Sequence, residues 1–94
     1  QSERKMQSFR SSITDMNRGE KGKNKLYGER ERLMRYYERL KTEVQTYENN
    51  IGFLSVSSKG GSGLVKEMER KIENLKEEMA LTVKKIDAID ENLE

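Results

Sequence analysis

Two stretches of this chain place apolar side chains every three or four residues without a break, and that pattern leaves few folds open. In the first, Leu33, Tyr37, Leu40, Val44, Tyr47, Ile51 and Leu54 follow steps of 4, 3, 4, 3, 4 and 3. In the second, Val65, Met68, Ile72, Leu75, Met79, Thr82, Ile86, Ile89 and Leu93 alternate 3 and 4 throughout. A mean step of 3.5 residues lays one apolar seam along an α-helix, which is the coiled-coil pattern. Leu26 extends the first seam across Arg30, its one charged position, and Thr82 is the one polar member of the second.

Folding the seams onto each other antiparallel pairs every member. Leu54 meets Val65, Tyr47 meets Ile72, Val44 meets Leu75, Tyr37 meets Thr82, Leu33 meets Ile86, Arg30 meets Ile89 and Leu26 meets Leu93. Bulky Tyr37 faces small Thr82, a volume match across the core. Charge supports the same register. Residues 1–50 carry twelve Lys/Arg against eight Asp/Glu, and 51–94 carry seven against nine. The acidic C-terminal end therefore lies beside the basic start of the first seam, with Arg30 in reach of Asp87 or Asp90. Pairs at helical spacing (Glu31 with Arg35, Arg39 with Glu43, Glu67 with Lys71) add a few tenths of a kcal/mol each.

The predicted fold is all-α: a long antiparallel helical hairpin over residues 24–94, with its bend at 55–63, preceded by a short N-terminal helix. That first helix is read from Met6, Phe9, Ile13 and Met16, which share one face at steps of 3, 4 and 3. Residues 1–23 are assigned to this helix and a basic, glycine-containing loop, since two glycines and dense Lys/Arg interrupt the periodicity from Asn17 to Lys25. The core is expected at Leu33, Tyr37, Leu40, Val44, Tyr47, Met68, Ile72, Leu75, Met79 and Ile86. Two helices bury only a narrow strip. The seam edges are therefore expected to be covered by the N-terminal helix, by the rest of a parent chain, or by a second copy in a homodimeric four-helix bundle.

Several function classes lose their means. The sequence has no Cys and no His, which removes the thiolate nucleophile, the usual zinc ligands and the commonest general base near neutral pH. Paired carboxylates (Glu77 with Glu78, Asp87 with Asp90) need a partly dry pocket, which a hairpin does not offer. Lys59-Gly-Gly-Ser-Gly63 departs from a phosphate-binding loop, because its lysine precedes the glycines and no strand precedes it. No enzymatic activity, cofactor or metal is expected. No apolar run approaches the roughly 20 residues that span a bilayer. The start, Gln1-Ser-Glu-Arg-Lys, does not read as a signal peptide, since no apolar core follows it, and it lacks an initiator Met; a piece of something longer is expected, with the cytoplasm as the default location.

What remains is recognition. Phe53 and Val56 have no seam position and, with Lys59, mark the hairpin tip as a surface for a protein partner. Tyr27 and Tyr36 flank the seam and can cover its edge or face a partner. Arg18, Lys21, Lys23 and Lys25 form the basic loop, which can meet RNA or DNA phosphates or simply stand in solvent.

From Tyr47 to Asp90 the chain resembles the C-terminal segment of Bacteroidetes proteins containing the domain of unknown function numbered three-four-nine. The matching residues are Glu-Asn-Asn-Ile-Gly-Phe at 48–53, the serine-rich bend, and Lys-Glu-Met-Glu-Arg-Lys-Ile-Glu at 66–73. The resemblance covers about half the chain and implies a cytoplasmic, all-helical bacterial protein of uncharacterised activity, with no catalytic residues to carry over. The function expected is a non-catalytic interaction or scaffold module of a larger bacterial protein. The rival expectation is an RNA- or ribosome-associated factor that binds phosphates through residues 18–25.

Overall fold

The computed structural model describes residues 2–56 and 62–94, without the side chains of Ser2, Ser55, Val56 and Ser62. Three helices account for the described residues other than Asn17, Arg18 and Glu94: α1 (Ser2–Met16), α2 (Gly19–Val56) and α3 (Ser62–Leu93). At 1.5 Å per residue their 15, 38 and 32 residues span about 22, 57 and 48 Å. The long pair α2 and α3 forms the helical hairpin, and α1 packs against both.

Antiparallel pairing follows the register read from the seams. Arg30 reaches Asp90, the neighbour of its seam partner Ile89, and Lys71 lies over the Tyr47 ring beside that residue's partner Ile72. A slip of one heptad would carry these groups about 10 Å apart. Thr82 is buried, and its hydroxyl donates to the Glu78 carbonyl at 2.8 Å, so a polar seam residue brings no unmet hydrogen bond.

The α1–α2 corner is tighter than expected. Only Asn17 and Arg18 lie between the helices, so residues 19–25, read above as a basic loop, belong to α2. The two glycines explain the difference. Gly19 adopts φ 83°, the left-handed conformation that ends many helices, and turns the chain. Gly22 is packed so closely on the Met16 carbonyl that no Cβ fits there. Both residues look like breakers in sequence, yet they let α2 begin early. Asn17 completes α1 by donating its backbone N–H to the Ile13 carbonyl. Its side chain donates to the Asn92 carbonyl at 2.9 Å, tying the corner to the end of α3.

At the other end the helices also run further than expected. Val56 is still in α2 and Ser62 already in α3, so the ends of the expected 55–63 bend are helical, while residues 57–61, Lys59 among them, lie outside the described residues.

The core sits at the α1 end. Met6 and Ile13 of α1, Leu26 and Leu33 of α2, and Ala88 and Ile89 of α3 form its buried cluster. Phe9, Met16, Leu81, Ile86 and Leu93 pack around it. Farther along, Leu40, Val44 and Ile72 remain buried between two helices alone. Tyr37, Tyr47, Met68, Leu75, Met79 and Ile86, all expected in the core, are half-buried, because a two-helix seam leaves its flanks open. Ala88 has no seam position; it faces α1 on a second stripe with Leu81, one heptad away.

Candidate functional site

Three surfaces hold the side chains that recognition requires. The first is the α2–α3 edge away from α1. On α3, Leu81 and Ala88 turn toward α1, and Val83, two residues on from Leu81, points to the opposite side. There Tyr27, Met34 and Val83 are 58, 42 and 41% exposed. Arg30, Met34, Tyr37, Glu38, Val83 and Ile86 line one shallow hollow. The Arg30 guanidinium donates to both Asp90 oxygens, at 2.6 and 3.4 Å, and its Nη1 lies 3.0 Å from Met34 Sδ. A fork-on-carboxylate contact therefore bridges α2 and α3 between Tyr27 and Met34, and Glu38 is the other charged side chain at the hollow.

The second surface is on α2. Arg32, Arg35, Tyr36 and Arg39 line a common hollow. Arg32 grips Glu29 with two nitrogens, at 2.9 and 2.6 Å, and this bond holds the Glu29 carboxyl below its ordinary value. Arg35 pairs more loosely with Glu31, at 3.8 Å. Arg39, expected to meet Glu43, instead lies over the Tyr36 ring, 5.3 Å from its centroid. The Tyr36 hydroxyl donates to Glu78 across the seam at 3.3 Å, and burial followed by the Glu78 charge pushes its phenol up. Tyr36 thus covers the seam edge, whereas Tyr27 is offered to solvent.

The third surface is the tip. Phe53 is 81% exposed, in keeping with its lack of a seam position, and Leu64 joins it as an exposed apolar side chain. The side chains of Val56 and Lys59, named with Phe53 as tip contacts, lie outside the described residues.

Of the basic candidates, Arg18 stands in the corner, 3.7 Å from Asp15. Lys21, Lys23 and Lys25 are exposed on α2, but a helix separates them. Lys21 and Lys25 share a face, and Lys23 points away from it. Sequence reading missed the grouping of Arg32, Arg35 and Arg39. Their 3, 4 spacing was visible, yet Arg35 was read as a partner of Glu31 and Arg39 as a partner of Glu43.

Among the described residues no group of three acidic, His or Cys side chains is placed to hold a metal ion, and no helix is long and apolar enough to cross a membrane. Asp90 is engaged by Arg30 and Glu78 by Tyr36, so the paired carboxylates of the sequence take part in cross-helix contacts. Comparison with family models, with curated proteins and with solved structures finds no match to this chain.

Proposed function

We propose that this chain is a non-catalytic helical interaction module, and that the occupant of its open α2–α3 edge is a second copy of itself. The observation that carries the reading is the exposed apolar strip of Tyr27, Met34 and Val83 on the side α1 leaves uncovered.

Charge placement argues for a self-pair. A two-fold axis at Met34 sets α2 against its copy antiparallel, so a residue before Met34 meets the one equally far after it. Arg30 then faces the copy's Glu38, and Tyr27 faces the aliphatic stem and ammonium of the copy's Lys41. Each contact occurs twice. A stable dimer buries about 800 Å² on each partner. The chain's extents of 59 × 24 × 15 Å give this long side room for that area.

Sedimentation or light scattering tests the reading. The expected result is a dimer that Met34→Glu converts to a folded monomer and that Glu38→Arg weakens. A native chain that stays monomeric at the highest soluble concentration overturns it, as does a dimer indifferent to both substitutions.

A further inference from the structure

The helical start of α2 changes what the basic residues can do. In a loop, Lys21 and Lys25 would have no fixed relation to the arginines downstream. In one unbroken helix, Lys21, Lys25, Arg32, Arg35 and Arg39 lie 4, 7, 3 and 4 residues apart, which is a single face. Gly28 fills the missing position, between Lys25 and Arg32, with nothing within 4 Å of where its Cβ would stand. All five cations are exposed. They form a ridge about 27 Å long, with a cation roughly every 5 Å where consecutive positions are filled.

We propose that this ridge binds the phosphodiester backbone of a single-stranded nucleic acid. Three features point to that ligand. First, three guanidinium groups gather at one hollow, and their planar forks match phosphate oxygens in a way that ammonium groups do not. Second, Lys21, Lys25 and Arg39 have no carboxylate partner among the described residues, so the ridge keeps positive charge after Glu29 and Glu31 are counted. Third, Arg39 lies over Tyr36, and the outer face of that guanidinium plane is a platform on which a base can stack. A straight, convex ridge suits a strand that can adjust the path of its phosphates better than a duplex that fixes them on a helix rising about 3.4 Å per phosphate along its axis. Apart from Tyr36, which Arg39 covers and Glu78 holds, the ridge is flanked by Glu29, Glu31, Thr42 and Glu43, which gives a lipid surface little to take in.

Fluorescence anisotropy with a labelled single-stranded RNA of about 15 nucleotides tests this, a length that spans the ridge with nucleotides to spare. Binding is expected at low salt, with a slope of log K against log[salt] of about −2 to −4 for three to five phosphates. Lys21→Glu with Lys25→Glu, or Arg35→Glu with Arg39→Glu, is expected to lower affinity more than tenfold. Lys66→Glu with Arg70→Glu makes the same change of net charge on α3 and is expected to change affinity less than threefold. Circular dichroism confirms that each variant is folded, and two independent ridge pairs keep the test open if one is not. Met34→Glu is expected to leave RNA binding in place, which separates this site from the self-pairing edge. Absence of binding at low salt overturns the proposal. So does equal weakening by ridge and control pairs, or equal affinity for polyglutamate or for anionic phosphatidylserine vesicles.

Discussion

Gly22 and Gly28 lie six residues apart on one helix and answer to different constraints. A methyl group at Gly22 would collide with the Met16 carbonyl, a backbone atom that cannot rotate aside. Gly22→Ala is therefore expected to destabilise by more than about 1 kcal/mol, although alanine is the better helix former. Gly28→Ala meets nothing within 4 Å and is expected to stabilise by up to about 1 kcal/mol. Thermal unfolding of the two variants checks the pair, and similar shifts in the same direction would contradict the close approach at the corner. Glu29 offers a second residue-scale reading. Its hydrogen bond from Arg32 lowers the carboxyl below the value it has in an unfolded chain. The contribution is thus fully present above that unfolded value and is lost as pH falls through the lower, folded one. In a ¹³C-detected titration Glu29 is expected to titrate below the ordinary value of a glutamate carboxyl, and Arg32→Gln should raise it.

At the scale of the element, α1 divides the long hairpin into two regimes. Where it covers the seam, Leu26 and Ile89 are wholly buried; toward the tip, Ile51 and Val65 are half-exposed. Truncation should follow burial. Leu26→Ala is expected to cost about 2–5 kcal/mol, and Ile51→Ala under about 1.5, by denaturant unfolding. Equal losses would mean that the seam is sealed at the tip by something else. The same division shows what the sequence could convey. Heptad spacing carried the helices, their pairing and Arg30 with Asp90, because a seam is a local pattern repeated along the chain. The corner was misread, since a glycine that ends a helix and a glycine that lets a helix pass close to its neighbour are the same letter. Ala88 was missed for a related reason. An alanine outside the main seam gives no apolar signal until α1 is placed beside it.

On the scale of the whole molecule, the chain is long for its mass. Its radius of gyration is 17.8 Å, whereas a compact globule of this length measures about 12 Å. An elongated body keeps more of its residues at the surface, which accommodates a composition that is 38% charged. It also sets different chemistry on different sides, with the apolar strip on one flank of α2, the arginine hollow on another, and Phe53 and Leu64 at the far end. The tie from Asn17 to Asn92 joins all three helices at one end only. Mechanically the molecule is a beam clamped at its base. A small tilt of the paired α2 and α3 against α1 at the corner becomes a much larger sweep at the tip. A load on Phe53 likewise acts on the corner with the full leverage of the hairpin's length.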